Sequence, residues 1–246
     1  MKVAIILHLH YQDLWPWFRV RLKSILQNNP KTDLYVSVNN LNTPYIKDIS
    51  KYSKEVFLVE NKGLDVAPFL HVCDQIKSIP YKYYIKIHGK KSIHTPKLGE
   101  MWRTQLVDSF LHSNMQYVTA LSELSSNTVP CMVGSAPWLF SETLDNVNYL
   151  DALPFIKKAL KLLNTDSTLV FKDKRLAPPF FAGTMFLVND LYMKNLYNLI
   201  DIPSLLPKFE EGYDRYGSLA HGFERLLGYL TTTLFEGELY SIKITS

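Results

Sequence analysis

The stretch YYIKIHGKKS, Tyr83 to Ser92, begins as a buried strand and ends as a run of cations. At the strand period Tyr84, Lys86 and His88 fall on one face and Tyr83, Ile85 and Ile87 on the other. Lys86 and His88 then sit near the core, where an ammonium without a partner is costly. Lys86 can pair with a carboxylate such as Asp65 while His88 is a satisfied core histidine and Lys90 and Lys91 are solvated. Alternatively, Lys86, His88, Lys90 and Lys91 together receive a diphosphate, whose charge offsets several cations at once. The strand-end position and the turn at Gly89 favour the second reading.

Outward from this strand, strands and helices alternate, which predicts an α/β domain with a mostly parallel sheet and helices on both faces. KVAIILHL, DLYVSVNN and EVFLVEN read as the three strands before it. PWFRVRLKSILQNN, with Pro16 at a helix start, and VAPFLHVCDQIKSI read as helices. After residue 97 come LGEMWRTQLVDSFLHS and NMQYVTALSELSS as helices, VPCMVGSAP as a strand and DALPFIKKALKLLN as a helix. PPFFAGTMFLVN reads as one strand with Gly183 at its middle, and NDLYMKNLYNLI as a helix capped by Asn189 or Asp190. GSLAHGFERLLGYLTTTL is an amphipathic helix, and ELYSIKIT an edge strand. A single domain over residues 1–246 is expected, with no repeat.

Open α/β sheets bind ligands outside the carboxyl ends of their strands. His8, Asn39, Asn61 and His88 are therefore expected to line one crevice. In ENKGLDVAPF, Gly63 permits a turn with positive φ, Asp65 can cap the next helix and Pro68 suits its first turn. The same turn could instead hold Asn61 or Asp65 against a ribose or base. In the late helix Leu219, Phe223, Leu226, Leu227 and Leu230 form an apolar stripe. Glu224 lies off it, one turn from Ala220 and Gly228, small neighbours that would leave its carboxylate open to a ligand. It is either a general base for a sugar hydroxyl or a surface glutamate paired with His221 or Arg225.

The net charge of +4 and pI near 8.8 are mild, and the aromatic residues are scattered, which argues against a nucleic-acid partner. Cys73 and Cys131 stand far apart in apolar contexts, so no cysteine metal site or disulfide framework is expected and a reducing, cytoplasmic setting is. MKVAIILHLH is too short for a membrane span and lacks a cleavage site. No GxxxxGK[ST], HExxH, GxSxG or paired-cysteine pattern occurs, and no DxD aspartate pair, since Asp13 and Asp33 stand alone.

NKGLDVAPFL, YYIKIHGKKS, MWR, FFAGTMFLV and LAHGFERLLGYL, in this order, resemble the signature blocks of the rhamnan synthesis protein F family over roughly residues 3–230. Leu64 stands where that family often has arginine, and Gly89 where threonine is common. The resemblance implies a GT-A-like (Rossmann-like) glycosyltransferase with additional C-terminal helices, moving a sugar, rhamnose among the candidates, from a nucleotide-diphospho-sugar to a bacterial surface polysaccharide. It also implies a donor half of about residues 1–97 and an acceptor half of about 98–246. Glu224 and His88 are the expected catalytic pair. His8, Asn39, Asn61, Gly63, Asp65, Lys86, Lys90 and Lys91 are expected on the donor, and Gly183, Thr184, Met185 and His221 on the acceptor. The basic cluster stands where a metal-binding DxD would sit, so inverting, metal-independent transfer without a cofactor is expected. The expected partners are the nucleotide sugar and a lipid-linked or polysaccharide acceptor, with peripheral contact at the inner face of the membrane. A non-catalytic glycan- or nucleotide-binding module is the alternative.

Overall fold

The computed structural model describes residues 1–91, 95–165, 176–212 and 217–244. Ser92 and Thr245, which end two of the stretches quoted above, lie outside the described residues.

Strand β1 (Val3–Leu9) is buried along its whole length, the environment that an unbroken VAIILHL run requires. It pairs in parallel with β2 (Thr32–Val38) and β4 (Tyr83–His88), and β2 pairs in parallel with β3 (Glu55–Leu58). Helix α1 (Trp15–Asn28), helix α2 (Ile46–Tyr52) and helix α3 (Val66–Ile76) connect them in order. α4 (Pro96–Leu111) and α5 (Asn114–Ser122) lead to β5 (Cys131–Ser135), then to the short strand β6 (Leu139–Phe140) and α6 (Val147–Leu162). The chain continues through β7 (Phe180–Phe181), β8 (Phe186–Asn189), α7 (Asp190–Leu199), α8 (Ile202–Leu205), α9 (Leu219–Tyr229) and β9 (Glu238–Ile242).

The result is a mixed α/β fold on a seven-stranded sheet ordered β3-β2-β1-β4-β8-β5-β9. β8 runs antiparallel to both of its neighbours, while β9 runs parallel to β5 at the edge. Helices cover both faces. Tyr84 joins the apolar layer beneath α3, α6, α7 and α9, and Tyr83, Ile85 and Ile87 join the layer beneath α1, α4 and α5. This is the division that the strand period gives. No helix among the described residues is long and apolar enough to cross a membrane.

The structure alters three sequence readings. PPFFAGTMFLVN is two strands, not one: β7 pairs with β6 in a separate two-stranded sheet, and a turn with φ +90° at Gly183 and +49° at Thr184 separates it from β8. α6 begins at Val147, with the Asn146 side chain accepting from Asn148 N, so Pro154 lies inside the helix and not in its first turn. α2, absent from the sequence reading, buries only Ile49 and is tied to α1 by a 2.8 Å hydrogen bond from Trp15 Nε1 to Asp48.

Candidate active site

β1 to β4 run in parallel and finish at one edge of the sheet, so the ends near His8, Asn39, Asn61 and His88 share that edge. Because β8 runs the opposite way, its start and the Gly183–Thr184 turn before it reach the same edge. His8 stands opposite both His88 and Ser37 in the ladder, and its Nδ1 lies 3.0 Å from Ser37 Oγ. Beyond the strands, His10 Nδ1 lies 2.9 Å from Asn39 Oδ1, and Asn39 Nδ2 donates to Val59 O at 3.1 Å.

Gly63, with φ +63°, turns the chain after β3, and a Cβ there would sit 2.6 Å from Ala67 Cβ and 2.7 Å from Phe209. That turn delivers Asp65 to the N-cap position of α3, yet its side chain makes no capping hydrogen bond. It accepts instead from Lys86 Nζ and Thr184 Oγ1. Lys86 Nζ also donates to Thr184 O at 2.7 Å, and the residue is 1% exposed. Burial alone would raise the Asp65 carboxyl, but the charges of His88 and Lys86 and the hydrogen bonds from Lys86 and Thr184 hold it well below the ordinary carboxylate range. His88 is buried, with Nε2 2.8 Å from Gly183 O. Desolvation pulls His88 down to about 4 and His8 to about 3; burial pulls Lys86 down as well, opposed by the charge and hydrogen bond of Asp65.

Glu224 holds the other side of the turn. Its Oε1 accepts from Gly183 N at 2.6 Å, while Oε2 lies 3.7 Å from Arg225 Nη1, outside hydrogen-bond reach. Arg225 is engaged with Glu142 through two hydrogen bonds of 2.8 and 3.0 Å. Lys90 places its ammonium 3.6 Å from the Trp102 ring centroid; burial pulls Lys90 down, opposed by the charges of Glu224 and Asp65. Trp102 in turn stacks on Trp138 with centroids 4.5 Å apart, and Trp138 donates to Gln105 at 3.0 Å. Sequence reasoning gave Trp102, Trp138 and Gln105 no role; MWR was the only signal pointing at the first.

Several residues assigned from the sequence stand differently. Lys86, expected on a diphosphate, is enclosed by Asp65 and Thr184, while Lys91 is exposed and paired with Asp13 at 2.5 Å. Met185 is 0% exposed within the layer beneath α1 and α4, which removes it from any ligand surface. Thr184 is buried and bonded to Asp65. Asn61 is exposed, with its carbonyl accepting from Gly212 N at 3.0 Å. His221 Nδ1 lies 3.0 Å from Ser218 Oγ at the start of α9. Ala220 is buried, and a Cβ on Gly228 would strike the Pro179 carbonyl. These two small residues therefore let α9 pack tightly and do not open a path to Glu224.

At Gly183 the close approach is made by α4. A Cβ there would meet Leu106 Cδ1 at 2.7 Å and Trp102 Nε1 at 3.4 Å, at a φ of +90° that L side chains rarely adopt. Gly183→Val is expected to destabilise the protein by about 2–5 kcal/mol, combining backbone strain with overpacking. A parental urea midpoint would show that α4 yields freely.

The buried histidines set an acid limit. Their native pKa values of about 3 and about 4 lie below the ordinary 6.5, so between those values the unfolded chain binds protons that the native state does not. Stability is then complete above 6.5 and falls as the pH drops towards 4, by about 1.4 kcal/mol per pH unit for each histidine. Urea unfolding at about pH 7.5 and about pH 5 should show this loss, and His88→Gln should roughly halve it. Equal stability at both values would contradict it.

Among the described residues, no group of three His, Cys, Asp or Glu side chains is placed to hold a metal ion. The carboxylate beside β4, Asp65, is engaged by Lys86 and Thr184.

A family model described as rhamnan synthesis protein F matches residues 1–234. WxcX from Xanthomonas campestris pv. campestris is 27% identical over 180 residues, which is 72% of this chain and 24% of WxcX. WxcX of strain B100 is 29% identical over 181 residues, again 72% and 24%. The chain thus spans about a quarter of the length of the curated relatives it matches. Distant likeness extends to the mannosyltransferase Ktr4p from S. cerevisiae, at 10% identity and TM-score 0.34, covering 92% of this chain and 65% of that one. The complex of Ktr4p with GDP gives 10% identity and TM-score 0.33, covering 92% and 62%.

Proposed function

The chain belongs to the rhamnan synthesis protein F family, and from that premise we propose that it is a glycosyltransferase, moving a hexosyl group such as rhamnose from a nucleotide-diphospho-sugar to a growing bacterial surface polysaccharide. The observation that carries this reading is the meeting of a carboxylate, a cation and polar strand ends at one sheet edge. Gly183 N–H holds Oε1 of Glu224, Oε2 is ion-paired with Arg225 Nη1 at 3.7 Å without a hydrogen bond, and Lys90 lies within its field. Open α/β sheets take nucleotides at such an edge.

In this reading Glu224 removes the proton from the acceptor hydroxyl as that oxygen attacks the anomeric carbon, which inverts the configuration there. The departing nucleoside diphosphate is met by the Lys90 ammonium, with Lys91 at the rim. His88, neutral and bonded to Gly183 O, positions the turn that carries Glu224's partner. His8, His10 and Asn39 face the nucleoside end, and residues 1–97 form the donor half against an acceptor half in 98–246. Lys86 and Asp65 support the floor of the site, their charges matched to each other, and a lipid-linked or polysaccharide acceptor meets the protein on the inner side of the membrane.

The test is transfer from a panel of nucleotide sugars to lipid-linked and polysaccharide acceptors, with the anomeric product read by NMR. Transfer is expected to persist in EDTA. Loss in EDTA with return on adding manganese or magnesium would overturn metal independence. Binding of nucleotide sugars without transfer or hydrolysis across the panel would make the chain a binding module.

A further inference from the structure

Arg103 is a buried cation with no carboxylate in ion-pair contact among the described residues. It is 6% exposed, and of the five N–H donors of its guanidinium one is placed, Nη1 to Lys90 O at 2.8 Å, while Nε is buried with no acceptor. The other described arginines differ: Arg19 pairs with Asp48, Arg21 with Asp108 and Arg225 with Glu142. Arg21 and Arg103 share the Trp17 ring, at 3.5 and 4.8 Å from its centroid, so Arg103 stands beside a second guanidinium. The charges of Glu100 and, more weakly, Asp13 reach Arg103 without forming an ion pair with it, and Asp13 is already paired with Lys91. A lysine in this position could shed its proton, but a guanidinium cannot, and an unmatched buried charge is unfavourable. Among the described residues, no carboxylate lies within ion-pair distance of it.

Its location indicates which anion fits. Arg103 holds the carbonyl of Lys90, two residues beyond the end of β4, at the sheet edge where the site lies. Lys90's ammonium rests on Trp102, the residue before Arg103. Two cations without ion-pair partners among the described residues thus flank the β4 exit, and the planar fork of a guanidinium suits phosphate oxygens.

We propose that Arg103 is a phosphate anchor, its guanidinium taking an oxyanion of a phosphoryl group at the exit of β4, with Lys90 as the neighbouring cation. Two sources share this chemistry, the diphosphate of a nucleotide sugar and a phosphate carried by the acceptor, and both rest on the transfer reading above.

The experiment is calorimetric titration at low ionic strength with inorganic pyrophosphate, then with UDP, GDP and dTDP, for the parental protein, Arg103→Gln and Arg103→Lys, each first checked by thermal unfolding. Pyrophosphate affinity is expected to fall about 10–100-fold in Arg103→Gln, and by less in Arg103→Lys, which keeps the charge but loses the fork. An equal fall for a nucleoside diphosphate assigns the anchor to the donor; a fall for pyrophosphate alone assigns it to the acceptor's phosphate. Parental affinity in both variants, or no pyrophosphate binding by the parental protein, overturns the anchor. If Arg103→Gln does not fold, parental affinity in Arg103→Lys overturns it alone. Arg103-dependent pyrophosphate binding in a protein that never binds a nucleotide sugar would retain the anchor and remove the transfer reading.

Discussion

Glu224→Gln is expected to slow sugar transfer by about 10²–10⁴-fold and to leave donor affinity close to parental, because the amide keeps the shape and loses the basicity. Its Oε1 can still accept from Gly183 N, so the turn stays in place, and the change falls on the proton acceptor that Oε2 supplies. Under the proposed mechanism that acceptor acts in the transition state and not in donor binding, so kcat and kcat/KM for the donor should fall together. Steady-state kinetics with a nucleotide sugar in excess would settle the matter. Transfer at the parental rate by folded Glu224→Gln protein would reduce the Glu224–Gly183 contact to a structural one.

The second large effect is expected at Asp65. Asp65→Asn takes away the carboxylate that faces the Lys86 amine at 1% exposure and leaves it Thr184 and the Phe69 and Phe186 rings, and breaking a buried pair from one side typically costs about 3–5 kcal/mol. Removing both charges, in Asp65→Asn with Lys86→Met, is expected to recover much of that loss, since a buried pair replaced by uncharged groups is often close to neutral. Urea midpoints for the two single variants and the double variant form the cycle. A double variant no more stable than Asp65→Asn would show that the Thr184 hydrogen bonds, and not the charge, carry the stability.

What could be read in advance follows from the kinds of signal present. The apolar runs of β1, β2 and β4 and the helical spacing in α1 and α3 announce themselves, because each is dictated by burial on the two faces of one sheet. Asp65 could be named as one partner for Lys86 because a buried ammonium requires a carboxylate and Asp65 follows a strand that ends at the same sheet edge. The break in PPFFAGTMFLVN could not be read, since the residues on both sides of it are equally apolar and only the backbone conformation of Gly183 and Thr184 divides them. Without that break Gly183 has no route to Glu224, and Met185 looks as available as Thr184. Ala220 and Gly228 misled for a related reason: a small residue can mark an open approach or a tight contact, and sequence does not separate the two. Gly228 lies against the Pro179 carbonyl and Gly222 against Phe155. Arg103 was unreadable because the lack of a carboxylate partner is a property of tertiary placement.

The hydrogen bond from Gly183 N to Glu224 also makes one amide proton a gauge of how the molecule opens. Among the described residues, Gly183 N–H is bonded to no backbone carbonyl but to a side chain carried by α9, a helix held by backbone contacts at Gly222 and Gly228. That proton meets solvent when α9 lifts away, even while the ladder between β4 and β8 stays closed. Comparing its exchange lifetime with those of the β4–β8 ladder amides therefore tests whether α9 opens by itself or together with the sheet.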